Sequence, residues 1–436
     1  MSGFLSGVIE GFYGPPWTAA ERGQLLGWMH AGGLNTYLHA PKDDLKHRAI
    51  WRECHTAEEA EPLRRLIRAC AVQGVRFIPA IGPGLDLRYD DPTEIAALER
   101  RFAQLRALGA QDGALLFDDV PERPDAAGLA RFGSLAAAQT HVANTIFRVQ
   151  RAHAPTARFL FCPAPYCGRM AERGLGGADY LATLGRDLDP GIDVLWTGPE
   201  IISREITVTH VREVAATLRR KPILWDNLHA NDYDGRRFFC GPYAGRPPEL
   251  RAEIGGVLAN PNSELPLNFV PLRTLAEFVR APAGAAWEPR AAYLAALRAW
   301  WPHFATVGAP LAWEDFVRFC DCHYLPHEEG AEAEALFQRV RTALHAKPAE
   351  TVRAEVARLR DFCGRLVDLR DRALFAALHR RAWELREELD LFDRYLAAPG
   401  RSVASDFHLP GTYRGGAVAR LQRLLVPQAD GTLAPP

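Results

Sequence analysis

The first two thirds of the chain alternate between short apolar runs and longer stretches with apolar residues every three or four positions. The longer stretches have helical spacing, and several begin at Thr, Asp or Ser. The apolar runs have strand length and are LSGVIEGFYG, TYLHAPKDD, RFIPAIGPG, GALLFDDV, RFLFCPAPYCG, IDVLWTGPE, PILWDN and GGVLANPN. Eight strand–helix units between residue 4 and about residue 280 match the size of a closed parallel barrel. We predict an α/β fold with a (β/α)₈ TIM-type barrel. An open doubly wound sheet is the alternative, because counting units cannot show closure.

The pattern changes after the segment RAPAGAAWEP, whose Pro and Gly residues indicate a boundary. Strand-like runs disappear, and helical segments rich in Ala, Leu, Arg and Glu follow. A chain of 436 residues also exceeds what one hydrophobic core usually supports. We therefore predict two domains, a barrel at residues 1–283 and an all-α helical bundle at residues 284–436.

Composition and charge narrow the class of protein. Hydrophobic residues make up 48% and charged residues 24% of the chain, which is typical of soluble globular proteins. The 52 basic and 53 acidic residues nearly cancel, which argues against nucleic acid or an anionic membrane as a partner. The sequence has neither a signal-peptide pattern nor an apolar run of membrane-spanning length, so a cytoplasmic location is expected. The eight cysteines lack metal-ligand spacing, and we expect buried free thiols rather than zinc ligands or disulfides.

Polar residues at the strand ends are the candidate catalytic and binding residues. Asp118 and Asp119 end the apolar run GALLFDDV, and in a barrel the carboxyl ends of all strands meet on one face. The set mixes carboxylates, amides, one lysine and aromatics, which suits a sugar better than a metal. The other candidates are Gly11, Phe12, Tyr13, Lys42, Asp43, Asp44, Asp86, Tyr166, Trp196, Trp225, Asp226, Asn227, Asp232, Asn260 and Asn262. Taken alone, one aspartate could cap the next helix, and the KDD run could be a solvated ion-pair cluster.

Seven motifs in order carry a resemblance to a known family. They are GVIEGFYGPPW, LNTYLHAPKDDLKHR, GALLFDDV, FLFCPAPYCG, VLWTGP, WDNLHANDYDGRRFFCGPY and LANPN. Together they closely resemble the catalytic domain of the glycoside hydrolases of family eighty-four, which includes the protein O-GlcNAcases and bacterial homologues. HYLPHEEG and TYRGGAVARLQRLL resemble the helical stalk of the animal members. The resemblance implies a retaining β-N-acetylglucosaminidase that acts on O-linked N-acetylglucosamine, with no cofactor and no metal.

The resemblance also implies residue roles. In this family the substrate's own 2-acetamido group attacks the anomeric carbon and forms an oxazoline, an exception to the usual protein nucleophile. Asp118 is expected to orient the acetamido N–H, and Asp119 to act as general acid and then base. The implied sugar-binding residues are Gly11, Lys42, Asp232 and Asn260 at the ring hydroxyls, Tyr166 and Asn227 at the acetamido group, and Trp225 as its wall.

Three other functions stay open at this stage, and one of them is a metal-dependent hydrolase, for which chelator-sensitive activity would be the evidence and is not expected. The same chemistry could serve glycan oligosaccharides or hyaluronan-like chains instead of an N-acetylglucosamine-bearing glycoprotein. A non-catalytic N-acetylglucosamine-binding protein is the alternative from another class, although such a protein has no need for a general acid.

The helical domain is expected to form a homodimer. By analogy with the animal stalk, Trp383 and Tyr413 are candidates for an aglycone or peptide cleft. Its long amphipathic stretches carry many apolar side chains, namely Phe375, Leu378, Trp383, Leu385, Leu389, Leu391 and Phe392. The alternative is that all of these pack within one bundle.

Overall fold

The computed structural model describes residues 3–121, 126–282, 286–345, 350–398, 415–430 and 432–436. The chain divides into two compact units. The first comprises Met1–Ala230, Ala244–Ser263 and Leu275–Trp287, and the second comprises Asn231–Tyr243, Glu264–Thr274 and Glu288–Pro436. Two segments of the predicted barrel domain therefore belong to the second unit.

The first unit contains a closed barrel of eight parallel strands. The strands pair in sequence order, and the eighth pairs with the first, for example Leu5 with Gly256. This confirms the predicted (β/α)₈ barrel and excludes the open sheet. The strands are β1 Leu5–Glu10, β2 Thr36–His39, β3 Arg76–Ile81, β4 Gly113–Leu116, β5 Phe159–Cys162, β6 Ile192–Trp196, β7 Ile223–Asp226 and β8 Gly256–Ala259.

Helices connect the strands, and several begin at the predicted polar caps. The side chains of Thr18 and Thr56 each accept a hydrogen bond from the backbone N–H three residues later. The glutamate at that later position accepts a hydrogen bond from the backbone N–H of the threonine, which completes a capping box. The helices are α1 Ala19–Gly32, α2 Ala57–Val72, α3 Pro92–Ala107, α4 Ala126–Phe132, α5 Leu135–His153, α6 Gly168–Glu172, α7 Tyr180–Asp187, α8 Val208–Leu218 and α9 Phe269–Arg280.

Alternate residues of the strands fill the barrel. Side chains two positions apart on a strand share a face, and one buried cluster collects such pairs from around the barrel. The pairs are Leu38 and Ala40, Ile78 and Ala80, Ala114 and Leu116, Leu160 and Cys162, and Ile223 and Trp225, and Leu5 and Ile9 lie four positions apart on the same row of β1. The next residue on the same face therefore lies at the carboxyl-terminal mouth of the barrel.

The second unit is helical, which confirms the predicted class of the C-terminal region. Its helices are α10 Pro289–Trp300, α11 Trp313–Asp321, α12 Ala331–Ala343, α13 Glu350–Arg365, α14 Arg372–Ala397 and α15 Gly416–Gln422. A short antiparallel pair, β9 Val426–Pro427 and β10 Leu433–Ala434, is an addition that the sequence pattern did not indicate.

The apolar side chains of α14 pack mainly inside the second unit. Leu378, Leu385, Leu389, Leu391 and Phe392 are buried, and Phe375 packs partly against the same core. Trp383 is the exception, with 54% of its surface exposed. Most of the apolar side chains that suggested a dimer are thus buried within the second unit. The homodimer stays a prediction.

The structure also describes the cysteines and the apolarity of the helices. All eight cysteines are free, and each is buried except Cys54, as expected. Across the described ranges, no helix combines the length and apolarity that crossing a bilayer needs.

Candidate active site

Strand alternation brings five predicted site residues to one face. Each follows a residue of the buried barrel cluster by two positions, so each continues the inward-facing row of its strand. The pairs are Ile9 and Gly11, Ala40 and Lys42, Leu116 and Asp118, Trp225 and Asn227, and Leu258 and Asn260. The predicted convergence of these residues at the barrel mouth is therefore found in the structure.

Asp119 reaches the same site although it follows Asp118 directly. Neighbouring residues of an extended strand point to opposite faces, but Asp119 lies in the turn after β4 with a φ of +52°. Asp is one of the few residues that tolerate this left-handed region. Its carboxylate contacts Tyr166, which packs in the barrel cluster that also contains Leu116. The two adjacent carboxylates thus share the barrel mouth.

Asp118 is held by a buried cation. The Lys42 ammonium pairs with Asp118 Oδ2, and the two side chains are 3% and 10% exposed. The ammonium also lies 5.8 Å from the centroid of the Trp225 ring. The second oxygen, Asp118 Oδ1, is buried and has no hydrogen-bond partner among the described residues. Buried polar atoms are nearly always satisfied, so this oxygen is a ready acceptor for an N–H of a ligand.

Asp119 is held by neutral phenols. Tyr166 donates from its hydroxyl to Asp119 Oδ1 at 3.0 Å, and Tyr13 donates to Oδ2 at 2.8 Å. Burial, followed by the nearby Asp119 charge, raises the pKa of both tyrosines. Both phenols therefore keep their protons and act as donors. Asp118 faces a full positive charge, whereas Asp119 faces two neutral hydroxyls.

An amide cluster forms another wall of the site. Asn227 Oδ1 accepts from Trp225 Nε1 at 3.0 Å and from Asn260 Nδ2 at 3.0 Å. Because the indole N–H can only donate, the atom facing it must be the amide oxygen. Asn227 Nδ2 donates one N–H to the carbonyl of Ile201 at 2.8 Å. Asn260 Oδ1 is buried without a partner in the part of the chain described, and it is a second ready acceptor.

Gly11 is required by close packing. A Cβ at this position would lie 2.7 Å from Ile9 Cγ2 and 2.8 Å from Trp225 Cζ2. Carbon atoms do not approach so closely, so a larger residue would push the Trp225 indole. Gly11 thus allows the backbone and the aromatic wall to share the barrel mouth.

Three of the wider set of candidates do not lie on this face. Asp226 is on the outward row of β7 and pairs with Arg246 at 2.8 Å and 2.7 Å. Trp196 follows the inward Leu195 and donates to His210 of α8 at 3.0 Å. Asp86 binds Arg52 at 2.6 Å and Trp51 at 3.0 Å. A shift of one residue along a strand changes the face, which separates Asp226 and Trp196 from their neighbours, whereas Asp86 lies in the loop after β3.

Arg48 is a site residue that the sequence reasoning missed. It donates to the Tyr13 hydroxyl at 2.7 Å and to the backbone carbonyl of Asp119 at 2.6 Å. Tyr13 itself was among the candidates at the strand ends. The available signal was an arginine six residues beyond Lys42 in the loop after β2.

Three further predicted residues are not tested by these contacts. Asp232 falls in Asn231–Tyr243, a segment of the second unit. Trp383 is also in the second unit, where the Arg386 guanidinium lies 4.4 Å from its ring centroid. Tyr413 lies outside the described residues. Their roles stay predictions.

Comparisons with known proteins identify the family of the chain. A family profile described as beta-N-acetylglucosaminidase matches residues 6–305. Proteins named protein O-GlcNAcase from Rattus norvegicus and Mus musculus are each 46% identical over 277 residues. That alignment covers 64% of this chain and 30% of each relative, so the chain spans less than a third of their length.

A solved structure extends the similarity beyond the barrel. An Asp-to-Asn mutant of the Thermobaculum terrenum O-GlcNAc hydrolase has a TM-score of 0.80 and 29% identity, and it covers 91% of this chain and 84% of its own. The family profile matches more than half of the chain and includes the strands that carry Gly11, Lys42, Asp118 and Asn227. The chain therefore belongs to the beta-N-acetylglucosaminidase family of glycoside hydrolases.

Proposed function

We propose that the protein is a retaining β-N-acetylglucosaminidase that removes O-linked N-acetylglucosamine from Ser or Thr by substrate-assisted catalysis. The names of its relatives support the substrate, and the geometry around Asp118 supports the mechanism. The single observation that carries the proposal is the buried, unpartnered oxygen Oδ1 of Asp118 beside the ion pair with Lys42.

The arrangement of carboxylates argues against a protein nucleophile. Most retaining glycosidases place two carboxyl groups about 5 Å apart on opposite sides of the anomeric carbon. Asp118 and Asp119 are adjacent at one strand end and approach a sugar from the same side. Glu10 and Asp226, the buried carboxylates that end β1 and β7, are instead tied to Arg22 and Arg246 on the outward rows. A reaction in which the substrate supplies the attacking group needs no carboxylate on the opposite side of the sugar.

Asp118 would orient that group. Its Oδ1 accepts the N–H of the 2-acetamido group, which turns the acetamido carbonyl oxygen toward the anomeric carbon. As this oxygen bonds to the carbon, positive charge develops on the amide, and the Asp118 carboxylate stabilises it. The Lys42 ammonium keeps the carboxylate oriented through Oδ2.

Asp119 would move the proton. In the first step the glycosidic bond breaks, and the leaving Ser or Thr oxygen takes the proton of the Asp119 carboxyl group. In the second step water attacks the anomeric carbon, the oxazoline ring opens, and the water proton returns to Asp119. Two successive inversions retain the β configuration. Asn260 Oδ1, the second buried acceptor, suits a ring hydroxyl.

A leaving-group series tests this division of roles. Aryl β-N-acetylglucosaminides with leaving groups of decreasing acidity would be compared for wild type, Asp118→Asn and Asp119→Asn. The Asp119→Asn variant should lose about 10²–10⁴-fold on poor leaving groups and much less on activated ones, because general acid help matters only when the leaving group is basic. Asp118→Asn should slow all substrates alike. Asp193→Asn, which removes a carboxylate paired with Arg158 at 2.7 Å, is the matched control and should behave like wild type.

Two substrate changes test the acetamido group itself. A glucoside with a 2-hydroxyl group should be nearly inert, and a thiazoline analogue of the oxazoline should inhibit strongly because it resembles the intermediate. Similar rates on glucosides and N-acetylglucosaminides would contradict substrate-assisted catalysis and favour a mechanism with a protein nucleophile. Comparing glycopeptides with chitin-type oligosaccharides then separates the proposed substrate from free glycans.

A further inference from the structure

The Arg48 guanidinium joins three loops at the barrel mouth. Arg48 follows β2, and its Nη1 donates to the hydroxyl of Tyr13 after β1 at 2.7 Å. Its Nη2 donates to the backbone carbonyl of Asp119 after β4 at 2.6 Å. The Tyr13 hydroxyl donates to Asp119 Oδ2 at 2.8 Å, which closes a ring of three residues. Arg48 therefore holds both the backbone and, through Tyr13, the carboxylate of Asp119.

The direction of each hydrogen bond in this ring is determined. A guanidinium has donors only, so the Tyr13 oxygen accepts from Arg48 and its single proton goes to Asp119 Oδ2. Burial and then the Asp119 charge raise the pKa of Tyr13, which keeps the phenol protonated. Arg48 thus restricts Tyr13 to donating to Oδ2, and the second lone pair of Oδ2 stays available for a proton.

The other carboxylate oxygen is not restricted in this way. Tyr166 donates to Asp119 Oδ1 at 3.0 Å, and among the described contacts no arginine or lysine donates to the Tyr166 hydroxyl. The two oxygens of Asp119 are thus held differently: Arg48 fixes the hydrogen bond at Oδ2 through Tyr13, and it does not act on the hydrogen bond at Oδ1.

We infer that Arg48 is a positioning residue for proton transfer: through Tyr13 and the Asp119 carbonyl it fixes the orientation of the Asp119 carboxyl group that exchanges the proton with the leaving group and water. The inference rests on the proposed function of Asp119 as acid and base. It also accounts for the left-handed φ of +52° at Asp119, since the guanidinium binds the carbonyl that this turn presents.

Loss of Arg48 should impair proton transfer selectively. In Arg48→Ala the Asp119 turn loses its anchor, and Tyr13 is no longer compelled to donate. We expect kcat on poor leaving groups to fall by about 10- to 100-fold, with a smaller loss on activated aryl substrates.

Chemical rescue separates positioning from folding. Free guanidinium ion at millimolar concentration should restore part of the lost rate in Arg48→Ala on poor leaving groups, whereas methylammonium, which lacks the planar fork, should not. Tyr13→Phe should show the same leaving-group dependence, and the double variant should be little worse than either single one, because both act through one ring. Arg52→Ala, which removes the ion pairs with Asp86 and Glu94, is the control and should keep the wild-type leaving-group dependence.

The outcomes distinguish this inference from the proposed function. If wild type hydrolyses aryl N-acetylglucosaminides and Asp119→Asn loses most on poor leaving groups, the proposed function stands. Equal losses by Arg48→Ala on all leaving groups, with no rescue by guanidinium ion, would then overturn the role of Arg48. If Arg48→Ala does not fold, Tyr13→Phe decides: a uniform loss or no loss across the series overturns the inference, and a selective loss supports it.

Discussion

Replacing Glu388 with Gln should stabilise the second unit at alkaline pH. Glu388 lies on α14 and is only 4% exposed. Its Oε1 accepts from Gln422 Nε2 of α15 at 2.8 Å, and its Oε2 is buried without a partner in the described structure. Burial raises the pKa of this carboxyl group from 4.5 to about 7. The folded protein therefore holds the Glu388 proton more tightly than the unfolded chain does.

The sign and size of the pH effect follow from this shift. The stabilisation is fully present below pH 4.5 and is lost as the pH rises through about 7, where the buried carboxyl group ionises. At about 1.4 kcal/mol per pH unit, the shift corresponds to roughly 3 kcal/mol of unfolding free energy. Gln resembles the protonated acid and still accepts from Gln422, so the variant keeps at pH 8 the stability that wild type has only at low pH.

Urea unfolding at pH 5 and pH 8 measures the effect. The transition of the second unit would be followed through hydrogen exchange of α14 and α15. The stability of Glu388→Gln relative to wild type should increase by on the order of 2–3 kcal/mol between pH 5 and pH 8. Glu350→Gln is the control, because its side chain is 85% exposed and should show no such increase. An equal difference between Glu388→Gln and wild type at both pH values would refute the reasoning.

Three further predictions concern the site and the assembly. Gly11→Ala should cost about 1–3 kcal/mol of stability and raise KM, because the new Cβ displaces Trp225; unfolding and steady-state kinetics on one sample check both effects. Lys42→Met should cost about 3–5 kcal/mol by leaving Asp118 buried without its cation, and adding Asp118→Asn should recover stability but not activity, as unfolding and rate measurements can show. Light scattering at micromolar concentration should show a homodimer; a monomer with full activity on glycopeptides would contradict that expectation.

The barrel and the position of Asp118 could be predicted because both follow from strand periodicity. Parallel strands covered on both faces appear as continuous apolar runs, and the chain has one such run for each strand. The inward row of a strand continues beyond its last apolar residue. Leu116 therefore implies Asp118 at the mouth, and Ala40 implies Lys42 in the same way.

Features that depend on single-residue shifts or on long side chains could not be predicted. The sequence reasoning grouped Trp225, Asp226 and Asn227, although the middle residue faces outward to Arg246. Arg48 binds Tyr13 in the loop after β1 and Asp119 in the loop after β4, and no local sequence pattern predicts contacts between residues so far apart in the chain. The interleaving of Asn231–Tyr243 with the second unit is likewise a tertiary property.

The apolar content of α14 shows a different limit. A helical pattern reveals how much apolar surface an element carries but not how many neighbours cover it. Helix α13 packs along α14, and α15 adds a further contact. Leu385, Leu389 and Phe392 are consequently buried in one core, which left Trp383 as the exposed aromatic.

The difference between Asp118 and Asp119 arises from one peptide unit. Strand alternation carries Asp118 onto the buried row beside Lys42, whose ammonium pairs with its carboxylate. The left-handed turn carries Asp119 to the hydroxyls of Tyr13 and Tyr166, with the Arg48 guanidinium on the Tyr13 oxygen and on the Asp119 carbonyl. The proposed mechanism assigns the stabilisation of positive charge to the first environment and proton transfer to the second. Two chemically identical side chains thus acquire separate surroundings because a single residue leaves the extended conformation.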